Sequence, residues 1–266
     1  MSLADTVAVA VDDFAPFAIE EHGLSWVRVY FSGEADRDAA QLAVGSLSGP
    51  RIQTTATSVP NYNWAARSQS DLKAIRVGRV VIAPPWDLPI HGKNHTEVVV
   101  EIRPALGFGS GHHPSTRLAL LGLQQIDLRK CDVLDLGTGS GVLAVAAVKL
   151  GAQQATGIDR DPDALASARE NAATNRVNSR VSLNLGNISN LGPDASVVTV
   201  ANLTGAALID LAPTISTVTK PGGHMVLSGI LTEEEGVVVR AYKVFAHCVW
   251  RNVEDGWVGM VWERIH

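Results

Sequence analysis

The stretch Val133-Leu134-Asp135-Leu136-Gly137-Thr138-Gly139-Ser140-Gly141 decides the fold: an apolar strand carries one carboxylate and closes on three alternating glycines. Val142-Leu143-Ala144-Val145-Ala146-Ala147 follows with helical character. The run therefore reads strand, tight turn, helix, an arrangement that aims helix N-terminal N–H groups at a nucleotide-like ligand. A second acid, Asp159, ends the next strand, 159 − 141 = 18 positions beyond Gly141, about where a ribose-binding acid belongs. Together these features suggest a cofactor built from adenosine.

The glycine spacing selects among such cofactors. A dinucleotide turn needs G-x-G-x-x-G, the second glycine letting the backbone approach a pyrophosphate and the third packing helix on strand. Here the spacing is G-x-G-x-G, and Val142 stands where the last dinucleotide glycine would fall. An acid inside the strand at Asp135 repels a pyrophosphate and welcomes an ammonium. S-adenosylmethionine has that ammonium, a ribose diol for Asp159 and no phosphate, so the charge pattern favours it, with Asp135, Gly137, Thr138, Gly139, Gly141 and Asp159 as binding residues. The alternative for Asp135 is a turn-capping or buried, paired carboxylate, because an unpaired charge in a buried strand is costly.

At 266 residues the chain can hold one large domain and a smaller one. With 46% of residues hydrophobic and 18% charged, a substantial core is available and disorder is disfavoured. A formal charge of −5 argues against an extensive nucleic-acid surface, which needs a basic face. Cys131 and Cys248 lack metal-ligand spacing and read as reduced core thiols. His112 and His113 are adjacent, which alone makes no metal site. The N-terminus carries no signal-like apolar segment and no run is long enough to span a bilayer, so no membrane partner is expected and a cytoplasmic location is the default.

Three parts separate along the chain. Residues 1–50 read as a small α/β module, with a strand over Ser25 to Phe31 and a helix around Asp36 to Leu47. Residues 51–103 read as a linker, a short helical stretch from Asn61 to near Lys73, and a strand pair, Val77 to Ala83 and Glu97 to Ile102. From residue 104 to 266, helices and strands alternate. Strands are expected over Asp132 to Leu136, Ala155 to Asp159, Val181 to Leu185, Val197 to Ala201 and Gly223 to Ser228, with a final hairpin, Val244 to Trp250 and Trp257 to Arg264. Helices are expected over Thr116 to Ile126, Val142 to Leu150, Pro162 to Asn175 with Asp161 as N-cap, Ala206 to Ile215 and Thr232 to Ala241. This alternation implies an α/β fold with a doubly wound, mostly parallel sheet and one antiparallel strand.

Several segments carry a more specific resemblance: Leu106-Gly107-Phe108-Gly109-Ser110-Gly111-His112-His113-Pro114-Ser115-Thr116, the glycine turn, Gly157-Ile158-Asp159, Val200-Ala201-Asn202-Leu203, Lys220-Pro221-Gly222-Gly223-His224 and Leu227-Ser228-Gly229-Ile230. From Trp86 to the C-terminus the chain resembles the ribosomal protein L11 methyltransferases, the PrmA family. The glycine turn alone indicates only a class I methyltransferase; the Phe-Gly-x-Gly-x-His-Pro-x-Thr loop and the Asn-Leu pair narrow it. The resemblance implies a seven-stranded Rossmann-like domain that uses S-adenosylmethionine to methylate protein amines, with a ribosomal protein as partner. Two departures are mild, His112 where Thr is usual and Leu203 where Ile is common. A larger one is the N-terminal module, which in the family is typically a complete ferredoxin-like unit that docks the ribosomal protein. Only about half of its elements are evident before Pro50.

The remaining site residues can be read physically. Gly109 and Gly111 let the backbone approach a ligand, and Ser115 and Thr116 beside Pro114 offer donors suited to a carboxylate. The methionine end of the cofactor is assigned there, with Phe108 near the sulfonium and Thr116 donating a hydrogen bond; the alternative is an ordinary helix-capping loop. Asn187 and Ile188, after the third strand of the alternating domain, are candidates for bonding and covering the adenine, or else a surface turn. Asn202, after the fourth, is the candidate for positioning the methyl acceptor, or else a strand-end cap. Methyl transfer to nitrogen is an in-line displacement, so alignment can supply much of the acceleration. The amine must be neutral, which costs a lysine of pKa ~10.4 about 3–4 kcal/mol near neutral pH and an α-amine of pKa ~8 about 1. His113 is a candidate proton acceptor, against a structural role in the loop. Competing readings are a small-molecule N-methyltransferase, a catalytically silent cofactor-binding adaptor, and a nicotinamide oxidoreductase, the last opposed by Asp135 and Val142.

Overall fold

Strand β6 (Asp132–Leu136) is an interior strand of the sheet on which the chain is built, and its side chains feed both faces. In the computed structural model, residues 7, 10–11, 14, 18–22, 26–31, 33–45, 52–57, 72–89, 97–103, 111–188 and 191–265 are described. They belong to two compact units, Met1–Asn63 and Trp64–His266.

In the first unit, β1 (Ala18–His22) pairs antiparallel with β2 (Trp26–Tyr30), Ala18 opposite Tyr30 and His22 opposite Trp26. Helix α1 (Glu34–Gly45) buries Ala40 and Val44, one turn apart, in a small core with Val7 and Val11. Val27, Val29, Phe31 and Ile52 pack against that core. Strand β1 was not evident from the sequence, because Ala-Ile-Glu-Glu-His lacks the apolar alternation that marks a half-buried strand.

In the second unit, the single strand expected over Val77 to Ala83 is a hairpin of β3 (Ile75–Val77) and β4 (Val80–Ala83). Gly78 turns the chain at φ +59°, and the Gln124 side chain clamps the turn by accepting from the Arg79 N–H at 2.8 Å and donating to the Val77 carbonyl at 2.9 Å. Strand β5 (Val98–Glu101) runs parallel to β4. Val77, Val80, Ile82 and Val100 share one apolar core with Val133, Val145 and Val198. The helical stretch expected from Asn61 lies outside the described residues, except that 72 and 73 are irregular.

The main sheet adds β7 (Gln154–Asp159), β8 (Val181–Leu185), β9 (Ser196–Asn202), β10 (Thr219–Leu231), β11 (Ala246–Glu254) and β12 (Trp257–Arg264), in the order β11-β12-β10-β9-β6-β7-β8. Only β12 is reversed, pairing antiparallel with both β10 and β11. The result is a seven-stranded Rossmann-like fold. The helices are α2 (Pro114–Leu123), α3 (Val142–Lys149), α4 (Pro162–Thr174), α5 (Gly205–Val218) and α6 (Glu235–Tyr242). The period of two divides the core: Val133, Val200, Val226 and Val261 join the cluster containing α3, while Leu134, Leu136, Ala201 and Leu227 join Leu208, Ile215 and Tyr242 from α5 and α6. The strand order reverses at β6, between β7 and β9, which opens a crevice at their carboxyl ends.

Helix α2 is held unusually close to the sheet. A Cβ at Gly122 would come within 2.7 Å of Val226 Cγ1, and one at Gly259 within 2.7 Å of Leu118 Cβ and 3.4 Å of its backbone. Arg117 pairs with Glu254 at 2.8 Å and Asp255 at 3.3 Å, and Ser228 Oγ donates to the Ser115 carbonyl at 2.8 Å. Gly259→Ala is expected to lower stability by roughly 1–3 kcal/mol through overpacking, measured by urea unfolding; a neutral result would mean that α2 can retreat from β12.

Candidate active site

The glycine turn is fixed by its neighbours before any ligand is considered. Gly137, Gly139 and Gly141 all have positive φ, at 67°, 53° and 79°, a region that L side chains rarely adopt. The Gly137 and Thr138 N–H groups both donate to the Ile158 carbonyl, at 2.9 and 3.1 Å, so the turn is tied to the end of β7. At Gly141 a Cβ would sit 3.0 Å from Ala168 Cβ, so the missing side chain lets α4 approach.

Asp135 lies beneath this turn, fully buried. Its Oδ2 accepts from the Thr138 hydroxyl at 2.6 Å and the Ala144 N–H at 3.1 Å, joining strand, turn and helix. Its Oδ1 has no hydrogen-bond partner among the described residues. Burial pushes the carboxyl up to about 6, opposed by the Thr138 and Ala144 hydrogen bonds and reinforced by the charge of Asp159. The clamp on the turn matches the capping alternative, while Oδ1 remains the atom suited to a cationic partner.

Above the turn is a cleft of about 320 Å³. The turn and α3 contribute Gly137, Thr138, Gly139, Val142 and Leu143; the β7–α4 connection contributes Asp159, Asp161 and Ala164; and Thr116, Asn202 and Leu203 complete it. Asp159 Oδ2 accepts from the Gly139 N–H at 2.8 Å and Oδ1 from the Asp161 N–H at 3.1 Å, leaving further lone pairs for a diol. Asp161 caps α4 by accepting from the Asp163 N–H at 2.8 Å. Asn202 Nδ2 donates to Thr116 Oγ1 at 3.3 Å, which leaves the hydroxyl proton of the buried Thr116 to donate elsewhere. Gly229, at φ +87°, makes room for Asn202 and Leu203: a Cβ there would overlap the Leu203 carbonyl oxygen and lie 3.1 Å from Asn202 Oδ1.

Other expected residues fall elsewhere. Asn187 is exposed and Ile188 is buried with Leu134 and Leu136. Neither lines the cleft, although Gly186 donates to the Asp159 carbonyl at 2.9 Å and keeps their turn beside it. His113 is the N-cap of α2: its Nδ1 accepts from the Ser115 N–H at 3.2 Å, and its ring meets Trp257 edge-on at 4.7 Å. Burial, then the Arg117 charge, lowers its pKa. It is absent from the cleft lining, and its cap and ring contacts are those that the structural alternative describes. Phe108 lies outside the described residues. Val142, Leu143, Asp161, Ala164 and Leu203 line the cleft without having been assigned to the site from the sequence; Leu203 was within reach through its pairing with Asn202, whereas Asp161 read only as a helix cap.

The lining fits an adenosyl sulfonium cofactor better than a dinucleotide. Two carboxylates and no Lys or Arg face the cleft among the described residues, so a pyrophosphate would find repulsion, whereas a ribose diol and positive charge find acceptors. Asp159 would hold the ribose, the glycine turn would admit the cofactor backbone, and Asp135 Oδ1 is a buried acceptor beneath it.

Comparison with known proteins agrees with this chemistry. Residues 9–264 match the family model described as Ribosomal protein L11 methyltransferase (PrmA). A ribosomal protein L11 methyltransferase from Xylella fastidiosa is 39% identical over 210 residues, covering 75% of this chain and 67% of that relative. One from Geobacter metallireducens is 36% identical over 245 residues, covering 87% and 79%. The solved structure of a ribosomal protein L11 methylase from Lactobacillus delbrueckii subsp. bulgaricus superposes with a TM-score of 0.66 at 27% identity, over 73% of this chain and 99% of that one.

The raised value at Asp135 sets a pH dependence. Between the ordinary value of 3.8 and about 6, the folded chain holds a proton that the unfolded chain has released, so this contribution is fully present below about pH 4 and is lost as pH rises to 6. The stability of the wild type relative to Asp135→Asn is therefore expected to fall from pH 4 to pH 7 in denaturant titrations. A pH-independent difference would sink the assignment.

Proposed function

The chain belongs to the ribosomal protein L11 methyltransferase (PrmA) family and is a methyltransferase, and we propose that it transfers methyl groups from S-adenosylmethionine to amines of a ribosomal protein. The observation that carries this reading is the convergence of the glycine turn, Asp159 and Asn202 on one cleft free of Lys and Arg among the described residues. When bound, S-adenosylmethionine supplies a methyl group on a sulfonium that leaves without further activation.

The chain's own residues then have three tasks. Asp159 and the Gly139 backbone, already joined at 2.8 Å, fix the ribose end. Asn202, held by Thr116, turns its carbonyl oxygen toward an acceptor N–H and so orients the nitrogen lone pair. Alignment of this kind supplies the acceleration, with no covalent intermediate. No His or Lys lines the cleft among the described residues, so the proton passes to water. That favours an α-amine over lysine, since its neutral form costs about 1 kcal/mol rather than several. We assign recognition of the protein substrate to the N-terminal α/β module and methyl transfer to residues 104–266. A cytoplasmic site of action accords with a ribosomal substrate. Among the described residues no helix is long and apolar enough to cross a membrane.

The test is incubation with methyl-labelled S-adenosylmethionine and ribosomal proteins, followed by mass spectrometry of the labelled band. Label on an amine of one ribosomal protein supports the proposal; label only on small molecules, or calorimetric binding of NAD instead, overturns it. Asp159→Ala should weaken cofactor binding by about tenfold or more. Asn202→Ala should lower kcat by roughly 10- to 100-fold while cofactor affinity stays within about threefold, the signature of an interaction used in the transition state.

A further inference from the structure

The glycine turn is gripped from a second side, by a residue to which no role has so far been given. Asn171 on α4 is 1% exposed. Its Nδ2 donates to the Ser140 carbonyl at 2.9 Å, inside the turn, and its Oδ1 accepts from the Arg103 N–H at 3.0 Å, just beyond β5. One helical turn later Asn175 repeats the pattern: its Oδ1 accepts from the Glu101 N–H at 2.9 Å and its Nδ2 donates to the Glu101 carbonyl at 2.6 Å. Lys149 Nζ also donates to Asn175 Oδ1, at 3.1 Å.

The spacing explains why two asparagines suffice. Positions four apart on a helix are separated by about 6 Å along its axis, and positions two apart on a strand by about 6.6 Å. Asn171 and Asn175 therefore meet Arg103 and Glu101 in step, and their amides serve the free edge of β5 as a neighbouring strand would. Only Asn171 reaches the glycine turn as well. Ala168, three residues earlier on the same helix face, is the residue that a Cβ at Gly141 would strike at 3.0 Å. Ala168 sets how closely α4 approaches the turn, and Asn171 sets the orientation of the Ser140–Gly141 peptide.

We propose that Asn171 is a positioning residue for the cofactor turn, locking the Ser140–Gly141 peptide in the orientation that cofactor binding requires. This rests on the cofactor reading given above. Asn175 belongs to the same ladder but serves only the anchoring of β5, so the two residues differ in what their loss disturbs. Asn171→Asp is the informative variant, because a carboxylate still accepts from the Arg103 N–H but cannot donate to the Ser140 carbonyl.

The experiment is calorimetric titration of the full chain with S-adenosylhomocysteine, together with steady-state kinetics in S-adenosylmethionine. Asn171→Asp is expected to weaken binding by about tenfold and to raise KM for the cofactor, with kcat at saturation within about threefold of wild type. Asn175→Ala is expected to lower the melting temperature yet bind within about threefold of wild type. Wild-type affinity in Asn171→Asp overturns the proposal, as does an equal loss in both variants, which would reduce the role to anchoring β5. If Asn171→Asp does not fold, Asn171→Ser, which keeps a hydroxyl donor, is expected to bind more weakly than wild type, and unchanged binding overturns the proposal. A wild-type chain that fails to bind S-adenosylhomocysteine removes the cofactor reading itself and this inference with it.

Discussion

One buried carboxylate oxygen organises this molecule. Asp135 Oδ2 accepts at once from the Thr138 hydroxyl and the Ala144 N–H, so strand β6, the glycine turn and the first turn of α3 share a single fixed point. Burying a carboxylate without full pairing is unfavourable, and its rise to about 6 is the measure of that cost. A strand that needed only to fold would carry an apolar residue there. The acid stabilises a backbone with three alternating left-handed glycines, a conformation with little intrinsic preference for order.

The rest of the sheet is arranged so that this point stays rigid. Valines on one face and leucines on the other give β6 apolar cover on both sides. Gly122 and Gly259 admit α2 onto the sheet, and Ser228 Oγ pins the Ser115 carbonyl. Thr116 thereby reaches Asn202 from a different element, and Gly229 leaves space for Asn202 and Leu203. The glycine-turn side of the cleft thus rests on α3 and α4, and the Thr116–Asn202 side on α2 and β9, with α2 and α3 also packed on each other.

Much of this was legible in the sequence because it obeys local rules. The strand limits at Asp132–Leu136, Val181–Leu185 and Trp257–Arg264 follow from short apolar runs ended by turn residues, and Asp161 announced its helix cap. Features that failed to show depend on distant partners. The β3–β4 hairpin hides because Gly78 turns within an apolar run, held by Gln124 forty-odd residues later. Asn171 and Asn175 look like ordinary polar helix positions until β5 is laid beside them. His113 could be read from the sequence as a proton acceptor or as a structural residue, because its contacts with Ser115 and Trp257 include a partner far along the chain.

The lining of the cleft also limits which acceptors suit it. Its polar side chains are the hydroxyls of Thr116 and Thr138, the Asn202 amide, and the carboxylates of Asp159 and Asp161. Both acids already accept backbone N–H bonds, and no His or Lys joins them in the lining among the described residues. On the proposed reading, an amine arrives neutral or loses its proton to water on entry. The population available for attack then falls about tenfold for each unit by which the amine's pKa exceeds the ambient pH. Where no His or Lys among the described residues of the lining offsets that factor, the proposed preference for an α-amine over a lysine side chain rests on the acceptor itself, and the protein's part in that proposal is to bring one amine beside Asn202.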